Sequence, residues 1–131
     1  TYNSTINKAF QMAGGGDVVL TDCNISGDVT GTYSASNIWC GDGRNVTVNG
    51  GTYGSIFMNA QYHSGWPAAS AHAASKITLN DGTITKLTLE TELGAEGYYV
   101  SATLTQNGGT ITNLVENPQN LDLTGRSQYN K

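Results

Sequence analysis

Short clusters of apolar residues alternate with threonine and asparagine along the chain, and one such pattern recurs. Within residues 77–85, every second residue before the turn is apolar, which indicates a strand with one buried side. An Asn-Gly-Gly or Asn-Asp-Gly turn then ends the strand, because asparagine and glycine tolerate a positive φ angle. This pattern, here called the repeat, occupies residues 46–54, 77–85 and 104–112, with a weaker repeat at 18–26.

The spacing of the repeats excludes several known repeat folds. Leu20, Val48, Leu79 and Gln106 hold equivalent positions, so the pattern returns every 27 to 31 residues. Propeller blades need about 40–50 residues, and neither a leucine-rich signature nor a helix-length pattern lies between the repeats. We therefore predict an all-β fold, a short right-handed parallel β-helix of about four rungs, as a single domain over residues 1–131.

Stacked rungs would place equivalent side chains in columns roughly 4.8 Å apart. One predicted interior column is formed by Val46, Ile77 and Leu104, and another by Tyr53, Ile84 and Ile111. At the bend, Asn49, Asn80 and Asn107 are predicted to form a ladder in which side-chain amides bond along the axis. Gln106 does not fit its inward position, so we expect either an open end, a partner chain or a local bulge there.

The two ends of the chain differ in their patterns. Residues 5–13 show helical spacing of apolar residues and predict a short helix that caps the first rung, with Ser4 or Thr5 as its N-cap. The rungs are predicted over residues 17–124. Residues 125–131 form a polar tail.

The opening segment is similar to that of a known group of proteins. Residues 6–10 (Ile-Asn-Lys-Ala-Phe), followed by three glycines and then Asp-Val-Val-Leu at 17–20, resemble the start of the pectate-lyase-like β-helix superfamily. That superfamily includes many bacteriophage tailspikes as well as polysaccharide lyases and hydrolases. The resemblance covers about residues 5–26, the repeat pattern extends it to about residue 115, and it implies an architecture without specifying an activity.

The charge and the cysteine content exclude some classes of function and of fold. Only 12% of the residues are charged, the net charge is −4, and the six lysines and arginines are scattered singly. We therefore expect neither a nucleic-acid surface nor a membrane span. Cys23 and Cys40 are too few for a disulfide scaffold; they are either two buried thiols or one pair brought together by neighbouring strands.

No catalytic residue, metal site or cofactor is predicted. Glu90 and Glu92 lie two apart on one strand, and Asp22 and Asp81 hold equivalent repeat positions, but solvated or turn roles explain them. The chain has no nucleophile-elbow motif and no phosphate-binding loop. Two histidines, nine residues apart in one loop, have no third metal ligand near them in sequence.

The most distinctive non-repeating segment is the loop over residues 59–75. Its candidate binding residues are Tyr62, His63, Trp66 and His72. Aromatic rings beside polar groups suit a sugar face or a protein partner, and loops on a rigid scaffold often carry function. The alternative is that Trp66 packs back onto the coil or into a neighbouring subunit.

These features together predict a non-enzymatic structural or attachment module on an extracellular or virion surface. We expect a phage head fibre, a capsid decoration or a short tailspike-type domain that forms a homo-oligomer, with a trimer favoured, or contacts other virion proteins. A polysaccharide-binding module or a polysaccharide-degrading β-helix is the alternative. A minor alternative is ice binding through the threonine column Thr52, Thr83 and Thr110.

Overall fold

The described part of the chain is built of β-strands. A computed structural model describes residues 3–4, 10–12, 16–26, 37–40, 44–62, 72–93 and 99–117. Within these ranges there is no helix, so the predicted all-β class is confirmed. The strands, β1 to β11, are Asn3–Ser4, Phe10–Met12, Gly16–Ile25, Ile38–Cys40, Arg44–Met58, Ala60–Tyr62, His72–Ala74, Lys76–Leu93, Tyr99–Ser101, Thr103–Gln106 and Thr110–Asn117.

The four repeats pair side by side in parallel within one sheet. Strand β3 pairs with β5, β5 pairs with β8, and β8 pairs with both β10 and β11. The register sets Val18 beside Val46, Val46 beside Ile77, and Ile77 beside Leu104. The alignment predicted from the sequence is thus confirmed on both sides of the turns, including its weakest member at residues 18–26. At the turn between β5 and β8 the register shifts, and Asn49 pairs with Asp81 instead of Asn80.

Shorter strands extend the sheet beyond the repeats. Strand β4 pairs in parallel with the end of β5, and β2 pairs in parallel with β4. Phe10–Met12 is therefore strand, and the helix predicted over residues 5–13 is wrong at these three positions. Pairing with β4 gives this backbone hydrogen-bond partners, and such tertiary pairing overrides a weak helical periodicity. Residues 5–9 and 13 lie outside the described residues.

Glycines allow the long strands to turn within the sheet. Gly50, Gly51 and Gly82 have φ angles of 97°, 103° and 107°, in the region that favours glycine. A Cβ atom on Gly82 would lie 2.8 Å from the carbonyl oxygen of Gly51. The repeated Asn-Gly-Gly and Asn-Asp-Gly turns are therefore required both by backbone conformation and by the close approach of neighbouring repeats.

The core lies on one face of these strands. Its buried members come from the first three repeats and from the segments between and beside the repeats, and Leu104 and Ile111 of the last repeat pack against them while only partly buried. The buried members are Leu20, Ile25, Ile38, Cys40, Val46, Val48, Tyr53, Ile56, Met58, Ile77, Leu79, Ile84, Leu87, Leu89 and Ala102. Trp39 and Phe57 are also buried but do not belong to this cluster, and they are register partners of each other. Burial of apolar surface at about 25 cal/mol per Å² is the main stabilising contribution.

The last repeat is less covered than the others. Leu104 and Ile111 are half-buried, and Leu114 is 43% exposed. The amides of Asn107 and Gly108 both donate to the carbonyl oxygen of Leu79, at 2.8 and 3.2 Å, so the pairing is irregular just after Gln106. Gln106 itself pairs with Leu79 in the parallel register. Its side chain is exposed and donates from Nε2 to the carbonyl oxygen of Gly109 at 3.3 Å.

Candidate functional site

The asparagines at the bends form a column of hydrogen bonds. Asn80 donates from Nδ2 to Oδ1 of Asn49 at 2.8 Å, and Asn107 donates from Nδ2 to Oδ1 of Asn80 at 2.8 Å. All three side chains are exposed. Both bonds run in the same direction, so the Asn80 amide donates to Asn49 and accepts from Asn107, and the column connects three repeats at their turns.

Other outward positions also align across the repeats. Thr52, Thr83 and Thr110 are successive register partners, as predicted from the sequence. The next outward rank is interrupted, because Gly54 stands where the following repeats carry Thr85 and Thr112. The outward threonines therefore do not form a complete, regular lattice across the repeats.

Two hairpins leave the sheet next to each other. Strands β6 and β7 pair antiparallel, with Tyr62 opposite His72, and the end of β8 pairs antiparallel with β9. The bases of the hairpins are joined through the backbone: the Thr103 amide donates to the carbonyl oxygen of Ser75 at 3.2 Å. The loop predicted at residues 59–75 is thus a hairpin at its base, beside a second antiparallel pair formed by residues 91–93 and 99–101.

A buried polar pair lies where the two hairpins begin. Asn59 donates from Nδ2 to Oε1 of Glu90 at 2.5 Å. Glu90 is only 2% exposed, and Asn59 is fully buried. Buried polar groups are costly unless they are hydrogen-bonded, so this contact offsets part of the cost of burying Asn59 and Glu90. The solvated role expected for Glu90 is therefore wrong.

The same corner contains further hydrogen bonds to one carbonyl group. The carbonyl oxygen of Cys40 accepts from the backbone amide of Asn59 at 2.7 Å and from Oγ of Ser75 at 3.2 Å. Asn59 and Ser75 are thereby fixed at the two ends of the first hairpin. In the sequence, Asn59 and Glu90 each directly follow an apolar strand segment and precede a non-repeating loop, but this placement does not predict that their side chains are buried or meet.

The structure brings together two of the four predicted binding residues. Tyr62 and His72 are register partners in the first hairpin. His63 and Trp66 lie outside the described residues. Tyr99, which was not among the predicted binding residues, lies in β9, beside β7 of the first hairpin.

Asp22 and Asp81, which hold equivalent positions in two repeats, both lie at turns. Oδ1 of Asp81 accepts from the backbone amide of Gly82 at 2.8 Å. Asp22 has a φ angle of 51°, a conformation that aspartate adopts more readily than most residues. Within the described residues, no cluster of three or more histidine, cysteine, aspartate or glutamate side chains could hold a metal ion.

Both cysteines are free thiols. Cys40 is buried and Cys23 is partly buried, so the alternative of a disulfide between them is wrong. Burial raises the pKa of Cys40 to about 12, although the nearby Arg44 opposes this effect. Because the thiolate is the reactive form, Cys40 is chemically inert at neutral pH.

Tyr53 is a second buried ionisable group of the core. Its hydroxyl donates to the carbonyl oxygen of Gly50 at 2.8 Å. Burial, together with the neighbouring Cys23, raises the pKa of Tyr53 to about 12. The Tyr53 side chain therefore stays protonated at neutral pH. Its hydrogen bond connects the core to the glycine turn.

Another buried polar contact, which the sequence did not predict, joins β4 to β5. The backbone amide of Asn37 donates to Oγ of Ser55 at 2.8 Å, and the backbone amide of Ser55 donates to Oδ1 of Asn37 at 2.8 Å. This reciprocal pair positions the chain just before β4. Because Asn37 and Ser55 are both buried and hydrogen-bonded to each other, this contact is structural.

Comparison with protein-family models, with curated proteins and with solved structures finds no match. In the part of the chain that is described, no helix has the length and hydropathy needed to cross a membrane.

Proposed function

We propose that this chain is a right-handed parallel β-helix that acts as a non-enzymatic structural or attachment module on an extracellular or virion surface. The observation that carries the proposal is the column from Asn49 through Asn80 to Asn107, in which equivalent turns bond directly to one another. Such stacking is typical of β-solenoids, which are rigid and suited to presenting loops. The resemblance of residues 5–26 to the pectate-lyase-like superfamily, with its phage tailspikes, supports the same architecture.

The roles of the acidic residues favour a non-enzymatic module. A glycoside-cleaving site needs two carboxyl groups about 5–9 Å apart that face an open groove. Asp81 is engaged by its own turn, and Glu90 is buried against Asn59. Among the acids whose side chains are described, these two therefore do not serve as an exposed catalytic pair.

The exposed end of the last repeat supports assembly into a homo-oligomer, with a trimer favoured. Leu114 is a core-type residue by register, since it pairs with Leu87, yet it is 43% exposed. Contact with another subunit would remove this apolar surface from water. The same module would touch its target through the loop at residues 59–75.

Light scattering on the isolated chain tests the proposal. We expect a trimeric mass that falls to the monomer in Leu114→Asp. Val19 is a matched control, because it is 61% exposed in the first repeat, and Val19→Asp should leave the mass unchanged. A monomeric wild-type chain would contradict the oligomeric module, and dissociation by both variants would place the interface elsewhere.

A further inference from the structure

The turns of the second and fourth repeats have the same sequence, Asn-Gly-Gly-Thr, at residues 49–52 and 107–110. Asparagine followed by glycine is the dipeptide that loses its side-chain amide most readily, because glycine has no side chain to shield its backbone nitrogen or restrict its conformation. In the third repeat, Asp81 follows Asn80 instead. Both Asn-Gly pairs are therefore open to deamidation, and their local sequences do not distinguish them.

The stacking of the repeats itself requires this dipeptide. A Cβ atom on Gly108 would clash with the carbonyl oxygen of Asn80, and one on Gly50 would clash with Oδ1 of Asp22. At the position before Gly108, Asn107 supplies the amide that donates to the asparagine column. The close approach of the turns and the column bonds thus place a chemically labile pair at the bend.

The tertiary surroundings of the two pairs differ. Asn49 and Gly50 lie inside the continuous strand β5, which has β3 on one side and β8 on the other, and Gly50 is buried. Residues 107–109 form a bend between β10 and β11, and in the described part of the chain these strands pair with β8 alone. Gly108 is half-buried, and its amide shares one acceptor, the carbonyl oxygen of Leu79, with the preceding amide. Local opening is therefore easier at the bend than inside β5.

We propose that Asn107 is a site of spontaneous deamidation, and that this modification disconnects the last repeat from the asparagine column. The backbone nitrogen of Gly108 gives up its proton and bonds to Cγ of Asn107, and the side-chain amide takes up a proton and leaves as ammonia. One water molecule then hydrolyses the cyclic imide to aspartate or isoaspartate. This modification goes beyond the proposed attachment function and does not depend on it.

The product cannot keep the column bond of the last repeat. A carboxylate at residue 107 accepts hydrogen bonds but donates none, so it meets Oδ1 of Asn80 as a second acceptor. Isoaspartate also lengthens the backbone at the turn, which displaces β11 along β8. The bond from Asn80 to Asn49 keeps both of its partners. Deamidation therefore loosens the last repeat and leaves the inner column bond in place.

Mass spectrometry of the full chain, aged at mildly alkaline pH, tests the site. Trypsin places the two turns in separate peptides, residues 45–76 and 87–126, and fragmentation assigns the modified residue. In the folded chain we expect deamidation about tenfold faster at Asn107 than at Asn49, because opening costs less at the bend. Ageing in urea is the control: the two identical turns should then react at similar rates. Equal rates in the folded chain, or a faster reaction at Asn49, would overturn the proposal.

Hydrogen exchange tests the consequence for the last repeat. In Asn107→Asp, which mimics the product, we expect faster amide exchange at residues 110–117 and unchanged exchange in β5. Thr105→Asp is the matched control, because it adds the same charge at an exposed position of the same repeat outside the column. Asn107→Ala, which also lacks the donor, replaces Asn107→Asp if that variant does not fold. Unchanged exchange in the folded variant, or an equal effect of Thr105→Asp, would overturn the loss of the column bond as the cause.

Discussion

The third and fourth repeats have closely similar sequences but different environments. In the third repeat, Ile84 and the following Leu87 are fully buried. Their register partners in the last repeat, Ile111 and Leu114, are partly exposed. The alternation of apolar and polar residues is similar in both, so local pattern does not account for the difference.

The difference comes from the number of neighbours. Strand β8 pairs with β5 on one side and with β10 and β11 on the other. In the described part of the chain, β10 and β11 pair with β8 alone. A repeat motif thus sets which side chains face inward, whereas a neighbour on each side is needed to bury them, as in other repeat proteins.

The largest expected effect contrasts the cores of these two repeats. Leu79→Ala should lower the free energy of unfolding by about 2–5 kcal/mol, because Leu79 is fully buried and truncation leaves a cavity. Leu104→Ala, in the half-buried last repeat, should cost less than half as much. Urea unfolding followed by circular dichroism measures both values. Equal costs would show that the last repeat is packed as tightly as the third.

The next effect concerns the turn between neighbouring repeats. Gly82→Ala should cost roughly 3 kcal/mol, because alanine is strained at a φ angle of 107° and its Cβ would meet the Gly51 carbonyl oxygen. Gly16→Ala is the control: its φ angle is 127°, but a Cβ there lies 3.9 Å from Nη1 of Arg44 as its nearest contact. Thermal unfolding compares the two. A similar loss in both would mean that backbone strain, and not close stacking, dominates.

Alkaline pH should lower the free energy of unfolding, because Tyr53 and Cys40 are buried and have raised pKa values. Between about pH 10 and 12 the folded chain keeps the Tyr53 proton, whereas the unfolded chain loses it, so stability falls as pH rises. By pH 11, one unit above the ordinary pKa of tyrosine, Tyr53 accounts for a loss of about 1 kcal/mol. Cys40 adds a loss that begins near pH 9. Urea unfolding at pH 8 and pH 11 measures the drop, which should be smaller in Tyr53→Phe. A drop of the same size in that variant would contradict the role of Tyr53.

The smallest effect is expected in the asparagine column. Asn80→Ala removes one donated and one accepted bond and should cost about 1–2 kcal/mol, more than a typical surface change. Asn107→Ala removes one bond of the column and should cost about half of that. Chemical unfolding of both variants beside Thr105→Ala, a neighbouring exposed position, provides the comparison. Stability unchanged in Asn80→Ala would show that the column bonds contribute nothing net.

Part of the fold and part of the candidate site were predictable from the sequence. The repeat spacing predicted the register of four strands, and the three asparagines of the column lie at equivalent turn positions that the pattern marks. The hairpin pairing of Tyr62 with His72 and the burial of Glu90 were not predictable. Both depend on where non-repeating segments return to the sheet, and such returns leave no periodic signal.

The N-terminal segment shows the limit of local reasoning most plainly. The spacing of Ile6, Ala9 and Phe10 suits a helix, yet Phe10 begins a strand that pairs with β4. A short helix is only marginally stable by itself, so an available sheet edge decides the conformation.

The sequence by itself determined the alternation of inward and outward residues, the glycine turns and the alignment of the repeats, because each of these follows from local chemistry repeated at a fixed interval. Only the tertiary structure decided which aligned residues are buried, where the two hairpins meet and that Glu90 lies beside Asn59. Burial and buried hydrogen bonds need partners that are distant in the chain, and only folding brings those partners into contact.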